Sequence, residues 1–90
     1  MNSIIKAIIT NNDGIHARTA AMLLNIINKY DVEAHITYRE NTVNLKHIID
    51  VIALSIGQDA KIEIIIEGKD SAKCAAELSQ VISNSLGEIL

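Results

Sequence analysis

Hydrophobic residues alternate with polar ones in several stretches of the chain, and this period of two is typical of β-strands with one buried face. In the first stretch, Ile5, Ala7 and Ile9 fall on one face of the predicted strand. Turn residues such as the pair Glu40 and Asn41 separate the stretches, so neighbouring strands are expected to run antiparallel. The predicted strands are residues 3–10, 32–39, 42–45 and 61–67.

Elsewhere hydrophobic residues recur every three or four positions, which predicts three helices. Two of them cover residues 17–28 and 47–54, and the third begins near Ser71 and is expected to end at Gly87. The order β-α-β-β-α-β-α predicts an α+β fold, a four-stranded and mainly antiparallel sheet with three helices on one face. The buried stripe predicted for the third helix is Ala72, Ala75, Leu78, Val81 and Ile82.

Composition limits the class of protein. Ninety residues predict a single domain, residues 1–90, with one core. The chain has two tyrosines and no phenylalanine or tryptophan, and its net charge is −3, so we expect no nucleic-acid partner. Cys74, the only cysteine, is predicted to pack inside a helix. No signal-type segment or apolar run near the roughly 20 residues of a membrane helix occurs, which favours a cytoplasmic protein without membrane insertion.

Residues 13–18, with the sequence Asp-Gly-Ile-His-Ala-Arg, place His16 where a predicted turn gives way to the first helix. The first amide N–H groups of a helix lack internal partners and lie at the positive end of its dipole, so a phosphate on His16 would meet donors. Arg18 would add a charge-assisted contact. Taken alone, the same residues also fit a surface N-cap histidine without chemistry and a solvated arginine.

Three stretches together resemble the HPr family, the histidine-containing phosphocarriers of the bacterial phosphoenolpyruvate-dependent sugar phosphotransferase system. They are residues 14–18, 29–31 and 42–46. The resemblance implies an open-faced β-sandwich, in agreement with the predicted element order. It also implies that His16 accepts a phosphoryl group on Nδ1 from enzyme I and passes it to enzyme IIA domains. Arg18 and the backbone N–H groups of Ala17 and Arg18 are implied to contact the phosphate. The resemblance further implies a phosphoryl carrier and not an enzyme that turns over, and we expect neither a cofactor nor a metal.

The segment after residue 46 departs from the family pattern. By resemblance, Ile48, Ile49 and Ile52 belong to a partner-docking patch, whereas their spacing also fits core-facing residues of a short helix. His47 stands where many members carry a regulatory serine, so that switch is expected to be lost. His47 also fits a coincidental surface residue or a replacement that fixes the choice of partner. It fits less well a metal ligand shared with His16, because no cysteine or carboxylate cluster has ligand spacing.

Two further departures bear on partners. Thr19 stands where proline is usual and is expected to have a modest effect, and Asp50 stands where glycine is usual and adds a negative charge to the docking patch. Two hypotheses therefore stay open: a monomeric phosphocarrier between enzyme I and enzyme IIA, or an HPr-like regulatory module whose phosphorylation state controls a regulatory protein partner. A ferredoxin-like small-molecule-binding sandwich shares much of the element order but leaves His16 and Arg18 unexplained.

Overall fold

The computed structural model describes residues 2–90, in which five strands and three helices form an open-faced α+β structure. The strands make one antiparallel sheet in the order β3-β2-β4-β1-β5. The α+β class, the antiparallel sheet and the three helices are therefore confirmed. The elements are β1 (Asn2–Ile9), α1 (Ala17–Ile27), β2 (Glu33–Tyr38), β3 (Asn41–Asn44), α2 (Ile48–Ala53), β4 (Lys61–Glu67), α3 (Ser71–Ser85) and β5 (Gly87–Ile89).

The prediction of four strands was wrong, because the chain returns to the sheet after α3. The short strand β5 pairs with the end of β1, where Gly87 lies opposite Ile9. Gly87 was expected only to stop α3, but α3 ends at Ser85, and a side chain at Gly87 would collide with the backbone of Ile8. A strand of three residues is too short for its alternation to be recognised in the sequence.

The strand register places the apolar residues of adjacent strands side by side on one face of the sheet. Ile64 of β4 lies between Ile5 of β1 and Ile36 of β2, and all three are buried. On the opposite face Lys6 approaches Glu63, with 4.0 Å between Nζ and Oε2, and both side chains reach solvent. Since the buried residues of all three helices join the same core cluster, the helices cover one face and leave the other open.

Helix α3 buries most of the predicted stripe, since Leu78 and Ile82 are fully buried and Ala75 and Val81 pack against the core. Cys74, Leu78 and Ile82 are completely buried at intervals of four residues, whereas Ala72 is exposed. The prediction that Cys74 packs inside a helix is therefore confirmed, and burial raises the pKa of its thiol. Small apolar residues occur all round the first half of α3, so hydrophobicity alone did not decide which of them faces the sheet.

Candidate functional site

A glycine at a positive φ angle brings the loop before α1 against the loop after α2. Gly14 has a φ of +62°, and a side chain there would collide with the backbone of Ile56 and Gly57. The N–H of Ile15 donates to the carbonyl of Ile56 at 2.9 Å, and the side-chain amide of Asn11 donates to the carbonyl of Gly14 at 3.1 Å. These contacts fix the direction in which the chain enters α1.

His16 is the N-cap residue of α1, the position that the sequence indicated. Its backbone is extended, and its carbonyl accepts the first helical hydrogen bond, from the N–H of Ala20 at 2.8 Å. The N–H of Arg18 donates to Nδ1 of the imidazole at 3.3 Å. In the neutral ring Nδ1 therefore carries the lone pair, and the proton lies on Nε2. The side chain is half-buried, so one ring nitrogen faces the helix end while the ring still reaches solvent.

The hydroxyl of Thr19 closes a reciprocal capping box with His16. The N–H of His16 donates to Oγ1 of Thr19 at 2.9 Å. The hydroxyl proton has two acceptors within reach, the carbonyl oxygens of His16 at 3.2 Å and Gly14 at 3.4 Å. Thr19 is only 3% exposed, so these bonds are shielded from water. The sequence analysis considered Thr19 only as a replacement of the usual proline and missed its capping role. A hydrogen-bonding residue three positions after an N-cap is nevertheless a recognisable signal.

We call His16, Ala17 and Arg18 the α1 mouth. Ala17 and Arg18 are exposed, and the first turn of α1 contains no acidic residue. Within residues 2–90, no carboxylate lies within 4 Å of the Arg18 guanidinium. The unpaired N–H groups of a first helical turn and the cation of Arg18 attract negative charge to the same place. The α1 mouth is therefore suited to an anion attached at Nδ1 of His16.

The predicted docking residues Ile48, Ile49 and Ile52, here called the α2 patch, differ in exposure. Ile49 is 74% exposed, whereas Ile48 and Ile52 are half-buried and pack against the core beside Val51. The core-facing interpretation therefore holds for Ile48 and Ile52, and docking by the patch stays a prediction for which only Ile49 has most of its side chain exposed. Helices α1 and α2 pack against each other, which places the α2 patch and the α1 mouth on neighbouring elements.

His47 and Asp50 form an exposed pair at the start of α2. His47 is the N-cap residue but makes no capping hydrogen bond with its side chain, and its Nδ1 lies 3.6 Å from Oδ2 of Asp50. Within residues 2–90 no group of three histidine, cysteine or acidic side chains is arranged to hold a metal ion. The same stretch has no helix with the length and hydrophobicity that a membrane span requires.

The other end of α1 is joined to α3 through a carboxylate. Glu77 of α3 accepts hydrogen bonds from Nζ of Lys29 at 2.5 Å and from the hydroxyl of Tyr30 at 2.6 Å. These bonds hold the pKa of Glu77 below its usual value, and the bond to Glu77 raises the pKa of Tyr30. The sequence marked Lys29 and Tyr30 only by resemblance, because nothing local connects them with a residue more than forty positions away.

The fold and the α1 mouth define a class of small α+β proteins that present one histidine at the start of the first helix of an open-faced sandwich. A family model described as the phosphorylation site of the phosphotransferase-system HPr component matches residues 5–84. The chain therefore belongs to the HPr family, and its family and fold indicate a phosphocarrier of the phosphotransferase system.

Solved structures show the same fold. A histidine-containing phosphocarrier protein from a mycoplasma is 31% identical, with a TM-score of 0.87, and the alignment covers 94% of this chain and 98% of that one. The phosphocarrier protein HPr from Bacillus anthracis is 26% identical, with a TM-score of 0.79 and coverage of 88% and 94%. The protein HPr-C-His from Thermoanaerobacter tengcongensis shares the fold at 24% identity, with a TM-score of 0.85 and coverage of 91% and 92%.

Proposed function

We propose that this chain accepts a phosphoryl group on Nδ1 of His16 from phosphorylated enzyme I and donates it to enzyme IIA domains. The observation that carries the proposal is the hydrogen bond from the Arg18 N–H to Nδ1 of His16, because Nδ1 can accept it only when it carries a lone pair instead of a proton, at the positive end of α1. In this role the chain is a substrate and donor in phosphoryl transfer, not an enzyme that turns over.

The transfer requires no proton movement at His16. As the lone pair of Nδ1 bonds to phosphorus, the bond from phosphorus to the leaving atom of enzyme I breaks, and the proton of His16 stays on Nε2. The Arg18 N–H, which donates to Nδ1 beforehand, then has a phosphate oxygen to donate to. In the onward step the N–P bond breaks, and its electron pair returns to Nδ1 as the acceptor takes the phosphoryl group.

The α1 mouth holds a phosphate without trapping it. Ala17 and Arg18 are exposed, so their N–H groups and the Arg18 guanidinium act against competition from water. Each charge-assisted hydrogen bond of this kind contributes about 1.5–3 kcal/mol at most. A phosphoryl group that must leave again needs such a site more than it needs a buried cage or a metal. The α2 patch, above all Ile49, is proposed to dock enzyme I and enzyme IIA.

The test is to incubate the purified chain with phosphoenolpyruvate and enzyme I and to follow phosphorylation by intact mass. We expect one acid-labile phosphoryl group on the parent chain and none on a His16→Ala variant. The matched controls are His35→Ala and His47→Ala, which remove the other two histidines and should both be labelled. Labelling of a folded His16→Ala variant, or of none of the four proteins, would contradict the proposal.

The contribution of Arg18 is measured in the same assay. Arg18→Gln removes the cation of the α1 mouth, and we expect the initial labelling rate to fall about 10-fold, which corresponds to about 1.4 kcal/mol in the transition state. Lys69→Gln removes an equally exposed cation from the loop before α3 and should leave the rate within about twofold. Equal rates for the two variants would show that Arg18 does not stabilise the phosphate.

The exposed His47 and Asp50 pair motivates the second hypothesis, an HPr-like regulatory module. Asp50 places a carboxylate beside Ile49, so the α2 patch differs in charge from an apolar docking surface. A carrier, once labelled, transfers its phosphoryl group to an added enzyme IIA domain and returns to its original mass. A regulator keeps the group and binds its target instead. Chasing the labelled chain with enzyme IIA distinguishes these two functions.

A further inference from the structure

An open groove of about 630 Å³ lies between α2 and the β2–β3 hairpin. Its apolar part is formed by Val43, Ala53 and Leu54, and its acidic part by Glu40 and Asp50. None of these five residues is among those that define the α1 mouth or the α2 patch, although Asp50 follows Ile49 of the patch directly. The groove therefore adds a second surface whose occupant the proposed phosphoryl chemistry does not identify.

The charge of the groove is negative because the nearby cations point elsewhere. The neighbouring Arg39 lines a hollow on the open face of the sheet together with Lys6 and Lys61, and its guanidinium lies 5.1 Å from the ring centre of Tyr38. Lys46 donates instead to the carbonyl of Val32 at 3.2 Å. No lysine or arginine lines the groove itself.

Glu40 and Asp50 lack a permanent positive partner. Within residues 2–90, no lysine or arginine nitrogen lies within 4 Å of either carboxylate. Asp50 is 3.6 Å from His47, which carries charge only when it is protonated. Two carboxylates beside apolar side chains complement a cationic side chain that has an apolar neighbour.

The groove opens at the end of the molecule that carries His16. Strand β2 ends at Tyr38, which pairs with Ile62 at the start of β4, so the hairpin turn that contains Glu40 lies at this end of the sheet. On the other side of the groove, Leu54 comes two residues before Ile56, whose carbonyl binds the N–H of Ile15. The groove and His16 therefore lie at the same end of the molecule, from which a protein that reaches His16 must approach.

We propose that the groove receives a lysine or arginine side chain, with an adjoining apolar side chain, from the protein that exchanges a phosphoryl group with His16. The identity of that protein rests on the proposed function, whereas the chemistry of the groove does not. Asp50 and Glu40 then determine partner choice: a partner with a basic residue at this position is favoured, and one with an acidic residue is repelled.

The test is an amide NMR titration of the ¹⁵N-labelled full chain with the blocked tripeptide acetyl-Arg-Leu-Arg-amide. We expect saturable shifts centred on Thr42, Asp50 and Leu54, and none with acetyl-Glu-Leu-Glu-amide. In the double variant Glu40→Gln/Asp50→Asn the dissociation constant should rise about 3- to 10-fold, the effect of losing two exposed charge pairs. Shifts that are spread over the surface, or equal for both peptides, would overturn the proposal.

The matched control is Glu33→Gln/Glu67→Gln, which makes the same change in net charge at two exposed residues on the far part of the sheet. It should leave the dissociation constant unchanged, and an equal weakening in both double variants would refute a specific groove. His16→Ala should retain the groove shifts, and their loss would also count against the groove. If the parent binds the basic peptide but enzyme I does not label it, the proposed function fails while the groove chemistry stands.

Whether the groove contributes to phosphoryl transfer is tested separately, by the rate of labelling. With enzyme I as donor, the labelling rate of Glu40→Gln/Asp50→Asn should fall about 3- to 10-fold, with an effect on the KM for the chain, while the rate at saturation stays within twofold. The Glu33→Gln/Glu67→Gln variant should match the parent. If neither enzyme I nor an enzyme IIA acceptor distinguishes the two double variants, the groove does not serve phosphoryl transfer.

Discussion

The two ends of α1 are held by different kinds of interaction. At the N-terminal end, the bonds are local, between His16, Arg18 and Thr19, and the residues Ala17 and Arg18 are exposed. At the C-terminal end, Lys29 and Tyr30 reach across to a carboxylate of α3. Side-chain bonds of long sequence separation hold the C-terminal end, whereas the N-terminal end is held by bonds between residues at most three positions apart.

The largest effect on stability and on labelling should come from a side chain placed where Gly14, before the N-terminal end of α1, contacts the loop after α2. Gly14→Ala puts a side chain at a positive φ, where it meets the backbone of Ile56 and Gly57. We expect the free energy of unfolding to fall by about 2–4 kcal/mol, because strain and collision add. Displacement of His16 should also slow labelling by enzyme I about 10²-fold. Urea denaturation and the labelling assay measure the two effects.

Gly57→Ala is the matched control for this prediction. Gly57 belongs to the loop that Gly14 contacts, but a Cβ added there meets no atom within 4 Å. Its free energy of unfolding should stay within about 0.5 kcal/mol of the parent value. If the two alanine variants are equally stable and equally well labelled, close contact between the loops does not position His16.

Loss of the Thr19 hydroxyl, which caps α1, should have the next largest effect on stability. Thr19→Val keeps the shape of the buried side chain but leaves the N–H of His16 without its acceptor. The free energy of unfolding should fall by about 1–2 kcal/mol, the usual effect of losing a cap or leaving an amide unpaired. The urea midpoint should shift without a change in the denaturant slope. Thr19→Ser retains the oxygen and should preserve the capping bond, so an equally large loss in both variants would indicate a packing role only.

Much of the fold was predictable because its signals are local. Alternating isoleucines in 61–67 identified β4 with its correct bounds, and the pattern of 3–10 placed Ile5, Ala7 and Ile9 on the buried face. Strand β5 was not predictable, since its three residues become a strand only by pairing with β1. The pairing depends on Gly87, whose need for close approach has no signature in the surrounding sequence.

In the candidate site, too, the features with local sequence signals were predictable and those that depend on distant residues were not. The place of His16 at the start of α1 followed from the change in hydrophobic period, and the phosphoryl role came from the resemblance. The role of Ile56 and Gly57 as a support for Gly14 was not predictable, because some forty residues separate the two loops. Likewise the acidic groove depends on how the β2–β3 hairpin and α2 meet, and sequence spacing does not report that distance.

The smallest effect should come from the C-terminal end of α1, where the bonds are exposed. Because Lys29 and Tyr30 lower the pKa of Glu77 in the folded chain, the carboxylate stabilises the fold fully above its unfolded pKa of about 4.3 and loses this contribution as pH falls through the folded value. Glu77→Gln should therefore be less stable than the parent near neutral pH, and the difference should shrink below about pH 4. Urea midpoints measured from neutral to acidic pH test this.

Tyr30 makes the complementary prediction in alkali. Its folded pKa is raised, chiefly by the bond to Glu77, so the stabilisation it provides is complete below about pH 10 and is lost as pH rises through the folded value. Tyr30→Phe should remove that loss of stability at alkaline pH. Glu88→Gln, a change at an exposed residue of β5, should lose stability in acid and in alkali as the parent does. A gap between Glu77→Gln and the parent that stays constant with pH would mean that the anchor acts by packing, because charge-dependent bonds must weaken when the carboxylate is protonated.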